Sequence, residues 1–120
     1  MATSRCDFSV HIEADGAVVI ARLLGSLDEG SQTQAESLIL PLLAGERRHL
    51  LLEASELTFV SSAGLRVIIS ALKTVRPVGG SVSICAPRPS VEQLLRIAGL
   101  TALIKVHSSV DAARGALLVG

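Results

Sequence analysis

The chain reads as one α/β domain spanning residues 1–120, with a mixed, mostly parallel β-sheet opened by an N-terminal hairpin and about four helices. Three observations predict this. Short apolar runs alternate with stretches of helical periodicity, and strands that alternate with helices imply crossover connections and parallel pairing. The first two runs are instead separated only by Asp15-Gly16, a hairpin signal. The apolar material is almost wholly aliphatic, with Phe8 and Phe59 the only aromatics among 120 residues, which suits layered helix-on-sheet packing. A chain of this length buries a core without staples.

The elements follow in order. Val10 and Ile12 alternate with polar neighbours, and Val18, Ile20 and Arg22 continue the pattern after the turn; Gly25 is expected to break the second strand. Asp28 or Ser31 stands where a cap belongs, ahead of the stripe Ala35, Leu38, Ile39 and Leu42; Pro41 should shorten the last turn, and Gly45 fits a stop. Leu50 to Leu52 form a short buried strand bounded by charge. After the serines, Leu65, Ile68, Ile69 and Leu72 share one helical face, with Arg66, Ser70 and Lys73 away from it, until Pro77 and Gly79-Gly80 end the helix. "SVSICA" is the next strand. Ser90 and Gln93 have capping-box spacing ahead of Val91, Leu94, Leu95 and Ala98, and Gly99 closes that helix. "LIKVH" is a last strand and 111–118 a last helix.

Composition excludes several functions. Eleven basic residues balance eleven acidic ones, with no Lys/Arg-rich block beyond Arg47-Arg48, so nucleic acid is not an expected partner. No apolar run is long enough for a membrane span, and the N-terminal stretch lacks the apolar segment of a signal peptide. Cys6 and Cys85 define neither a metal site nor a disulfide framework, and reduced thiols fit a cytoplasmic protein. The histidines, His11, His49 and His107, match no metal spacing. "VSSAG" lacks the first glycine of a nucleophile elbow, and His49 should lie at the opposite sheet edge from the serine turn. No phosphate-cradling glycine loop exists.

What remains is the stretch "LTFVSSAGLRVIISALKTV" from Leu57 to Val75. A serine before an apolar helix accepts backbone N–H bonds, worth about 1 kcal/mol; that accounts for Ser61. It does not account for Gly64, since glycine costs a helix about 1 kcal/mol relative to alanine; close approach of something to the backbone would. Ala63 and Gly64 leave the Ser62 hydroxyl standing clear at a helix N-terminus. That end carries partial positive charge and tolerates a phosphate of about −1.5 to −2 charges, whereas a partner docked over it would not.

Beyond that reading, the chain resembles the STAS domain family, in particular bacterial anti-sigma factor antagonists. The resemblance is carried by "LLGSLD" at Leu23–Asp28, "HLLLEASELTFVSSAGL" from His49 to Leu65, Gly79-Gly80, and "LLRIAGLTALIKV" from Leu94 to Val106. It implies a protein that is not an enzyme and needs no cofactor. It implies binding to an anti-sigma factor that is itself a serine kinase with a GHKL-type ATP site, release of the sigma factor on binding, inactivation by phosphorylation, and reactivation by a PP2C-type phosphatase. The family's acceptor serine matches Ser62. Many members carry Asp before the acceptor and Ser or Thr after it; Ser61 and Ala63 stand there in this chain, which makes Ser61 a rival acceptor.

The family's docking face surrounds the acceptor and selects Gly25, Ser26, Leu27, Asp28, Ser61, Gly64, Leu65 and Arg66. Among these, Asp28 and Arg66 are charges beside a small-residue gap, suited to setting register with a partner. A constitutive STAS subunit of a lipid-transport or larger signalling complex stands as the alternative, with the serine a mere cap. The balanced charge and apolar-rich composition are compatible with a homodimer.

Overall fold

Five strands pair in the order β1-β2-β3-β4-β5: β1 Ser9–Asp15, β2 Val18–Leu27, β3 His49–Val60, β4 Ser81–Cys85 and β5 Lys105–His107. The first pair is antiparallel and the rest are parallel. Helices α1 Gln32–Ile39, α2 Ser62–Val75 and α3 Pro89–Ile97 connect successive parallel strands, and α4 Val110–Val119 follows the last one. Short 3-10 turns extend α1 and α2 at Leu40–Leu42 and Arg76–Val78, and a third, Leu100–Ala102, follows α3 after a turn through Gly99. This computed structural model describes residues 8–43 and 47–119. The expected stop at Gly45, and Cys6, lie outside the described residues.

The two-residue period of the strands sorts side chains between two cores. Val19, Ala21 and Leu23 of β2, Leu50, Leu52 and Ala54 of β3, and Val82 and Ile84 of β4 face the main core. There they meet Ala35 and Ile39 of α1, Val67, Ile68, Ala71, Leu72 and Val75 of α2, and Val91 and Leu95 of α3. The opposite residues Ile20, Leu51 and Cys85 form a smaller cluster beneath Ala113 of α4. An ion pair between Arg114 and Asp15 ties α4 to the hairpin.

The predicted order of elements holds, with several corrections. Gly25 does not end β2. It takes φ +96° inside a strand that continues to Leu27, and the pairing with β3 shifts register between Gly25 and Ser26, so the glycine bends the strand. The hairpin turn sits one residue later than expected: Asp15 pairs with Val18, and Gly16 alone in the turn has positive φ. β3 is much longer than Leu50–Leu52, because its second half pairs only with β2 and leaves Ser55 and Glu56 exposed. Helix α3 begins at Pro89 with Arg88 as its N-cap; proline is well suited to a first helical position, and Ser90, already inside the helix, caps nothing. The Ser31 side chain makes no cap bond to α1.

Candidate functional site

The ends of β2 and β3 bring the serine segment against the loop before α1. Leu27 pairs with Val60, and the next amide, Ser61 N–H, donates to the Leu27 carbonyl at 3.0 Å. The chain then turns into α2. Ser61 is its N-cap, in extended conformation, with Oγ accepting from the amides of Ala63 at 3.1 Å and Gly64 at 3.4 Å. Its own carbonyl accepts from Leu65 N–H at 2.9 Å. The cap is complete without Ser62, the first helical residue, which is exposed.

Gly64 has an internal explanation. A Cβ there would overlap the Leu27 carbonyl oxygen, with Val60 Cγ1 at 2.9 Å and Leu27 Cγ at 3.0 Å. What approaches the backbone so closely is therefore the chain's own β2. Gly64 is buried, as are Ala63 and Leu27, the last at 1% exposure; they shape the surface from below.

The neighbouring turn is pinned by Ser31, a hydroxyl at 2% exposure. Its Oγ donates to the Ser26 carbonyl at 2.7 Å and accepts from Asp28 N–H at 2.9 Å. Asp28 is half-buried, and its Oδ1 accepts from Gly30 N–H at 2.9 Å, leaving the second carboxylate oxygen outside that bond. Thr58 Oγ1 donates to the Gly25 carbonyl at 3.1 Å, holding the bent strand. Gly25, Ser26 and Leu65 are half-buried, with Leu65 packed on the main core. Arg66 is exposed and makes no ion pair among the described residues. It lies one turn beyond Ser62 on the same helix face.

The structure thus gathers every sequence-selected residue at one end of the sheet, but only Ser62 and Arg66 of that set are fully exposed. Sequence reasoning missed Phe59, which pairs with Ser26 at this sheet end and is 52% exposed. Its signal was available: it is one of the chain's two aromatics and stands two residues before the serine pair. Local sequence offers Ser31 only as a helix cap, and nothing in it distinguishes a cap from the buried pin that the fold makes of this hydroxyl.

None of the three histidines, all among the described residues, lies at this end beside Ser62. His49 begins β3, about 35 Å of extended chain from its end at Val60. His11 and His107 align across the sheet with Arg22, Glu53 and Cys85, about 20 Å short of Val60. In that row, burial and then the Glu53 charge push the Cys85 thiol up to about 11, which leaves it unreactive. Arg22 faces Glu53 at 3.6 Å, and Glu53 Oε1 is buried without a hydrogen bond among the described residues. Burial, then the charge of Arg48, holds His49 below its ordinary value, with Nδ1 2.8 Å from Ser81 Oγ. No group of acids, histidines and cysteines among the described residues could hold a metal ion.

Residues 9–113 match the family model of the STAS domain. BtrV of Bordetella bronchiseptica, which carries the name of an anti-sigma factor antagonist, is 30% identical over 99 residues, 82% of this chain and 85% of its own. The anti-sigma F factor antagonist of Paenibacillus polymyxa is 26% identical over 104 residues, 86% and 89% of the two chains. Among solved structures, the anti-sigma factor antagonist SpoIIAA, a Bacillus protein, superposes in its unphosphorylated form with a TM-score of 0.82 at 19% identity, over 93% of this chain and 98% of its own. The phosphorylated form gives 0.74 at 19% identity, over 91% and 99%. At that identity the likeness to SpoIIAA is one of fold.

Proposed function

The chain belongs to the STAS domain family, and from that premise we propose that it is an anti-sigma factor antagonist that works by partner switching, with Ser62 as the switch. Unphosphorylated, it docks on an anti-sigma factor through the face around Ser62, Asp28 and Arg66, and the sigma factor is released. The partner is a GHKL-type serine kinase that brings its own ATP. The Ser62 oxygen attacks the γ-phosphorus, the bond from that phosphorus to the ADP oxygen breaks, and the hydroxyl proton passes to a base of the kinase. The products are ADP and a phosphoserine of about −1.5 to −2 charges. A PP2C-type phosphatase hydrolyses the ester and restores the hydroxyl. The cytoplasm is where such partners meet.

One observation carries this reading: Ser61 supplies the helix cap while Ser62, next to it, is exposed at the first position of α2. The division explains why two serines stand together. A phosphate at that position faces the positive end of a helix of 14 residues, so the fold tolerates it. A docked partner faces like charge and desolvation, and each 1.4 kcal/mol of that penalty is about tenfold in affinity.

The test is to incubate the chain with the anti-sigma kinase of its own genome and ATP, then map the phosphate by mass spectrometry. It should fall on Ser62, vanish in Ser62→Ala and persist in Ser61→Ala. A phosphate on Ser61 or elsewhere defeats the assignment. Partner binding with no phosphorylation at all would favour a constitutive STAS subunit.

A further inference from the structure

Charge is distributed unevenly over this formally neutral chain. From Leu57 to Val91 there are four basic residues, Arg66, Lys73, Arg76 and Arg88, and no Asp or Glu. Three of the four lie along one face of α2 and its 3-10 extension. Ser62, Arg66, Ile69, Lys73 and Arg76 follow one another at steps of four, three, four and three, within an arc of about 80° and a rise of about 21 Å. All are exposed except Ile69, which is half-buried.

At the far end of this face lies an apolar groove of about 550 Å³. Ile69 and Leu72 of α2 form one side, Leu100 and Leu103 after α3 form the other, and Lys73 and Arg76 stand at the rim. Leu103 is 48% exposed. A groove that runs beside a helix and is open to the outside suits side chains offered by another helix better than it suits an enclosed small molecule.

We propose that this face is a docking track for an acidic amphipathic helix of the anti-sigma partner. Its apolar side chains fill the groove, and its carboxylates face Arg66, Lys73 and Arg76. The inference rests on the reading of Ser62 above and extends it along α2. Two features select this occupant. The track is cationic without an acid in its sequence, which attracts negative charge and rejects positive. It is also continuous with the acceptor serine, so whatever docks at Ser62 meets it. The sign of the switch then follows. A phosphate on Ser62 places a dianion at the head of the track, one turn from Arg66, where it takes up that guanidinium and repels the acids the track had attracted.

The experiment measures affinity for the purified anti-sigma kinase, without ATP, by calorimetry at two ionic strengths. Lys73→Glu/Arg76→Glu should bind at least tenfold more weakly than the parent, with a flatter salt dependence. Leu103→Ser, a surface change that spares the core, should weaken binding several-fold. Lys105→Glu, on the sheet face beneath α4, should bind like the parent. A parent that binds, with the two track variants within twofold of it, overturns the track and leaves the Ser62 reading standing. Variants that alter the sedimentation of the chain alone, and not kinase affinity, would make the groove a contact between copies and also overturn it. A parent that binds no kinase removes both.

Discussion

Gly64→Ala separates the internal explanation of that glycine from the expectation that it merely clears space for a partner. On helix propensity alone the substitution should stabilise α2 by up to about 1 kcal/mol. The structure opposes this. The new methyl overlaps the Leu27 carbonyl, a backbone atom that cannot swing aside, and crowds Val60 Cγ1 at 2.9 Å. Relief requires α2 and β2 to separate, and the Ser61–Leu27 hydrogen bond of 3.0 Å lies between them. Overpacking costs about 1–3 kcal/mol and a strained or lost hydrogen bond about 1 kcal/mol. Set against the propensity gain, the net is a loss of about 2 kcal/mol. With an unfolding entropy of about 2.1 cal/mol/K per residue over the 120 residues, that lowers Tm by about 8 °C. Gly115→Ala in α4 is the internal control, since a Cβ there meets nothing within 4 Å; it should raise Tm by a few degrees. Scanning calorimetry on both variants decides the matter. A Gly64→Ala protein as stable as the parent, or stabilised like Gly115→Ala, refutes the packing argument.

Other changes have outcomes set by the same geometry. Ser61→Ala should lose about 1 kcal/mol, the worth of an N-cap, and Ser61→Asp should recover most of it, both read from urea midpoints. Ser31→Ala deletes a buried hydroxyl bonded to the Ser26 carbonyl and the Asp28 amide; it should cost about 1–3 kcal/mol and speed hydrogen exchange of the Asp28 amide. His49 has a depressed pKa in the fold, so the unfolded chain binds more protons near and below pH 6.5, and its contribution to stability is complete above that pH and lost as pH falls. His49→Gln should therefore flatten the decline of urea stability between pH 7 and 5; an unchanged slope counts against the assignment.

Legibility in the sequence followed the strength of local signals. The alternation of β3, α2, β4 and α3 was readable because aliphatic runs there change period from two to about 3.6 under tight punctuation by Pro77, Gly79-Gly80 and Gly99. The full length of β3 was not, since Glu53, Ser55 and Glu56 interrupt the apolar run, and beyond Glu53 the strand is continued by pairing with β2 alone. Gly25 looked like a terminator because a bulge and a strand end share the same residue. At the site, the cap at Ser61 and the exposure of Ser62 were legible from helix-end chemistry. The contact explaining Gly64 was not, because Leu27 lies 37 positions earlier in the chain and meets it only through the sheet. The charge asymmetry of α2 was visible in the residues all along, but it acquires a direction only once the helix face and the groove are in place.

The most direct measurement compares the affinity of the anti-sigma kinase for the unmodified chain and for the chain phosphorylated stoichiometrically at Ser62, with thermal unfolding of both forms recorded in parallel. Partner switching at Ser62 predicts a loss of at least tenfold in affinity with Tm changed by no more than a few degrees. Equal affinities, or a loss of binding that accompanies unfolding of the domain, would contradict it.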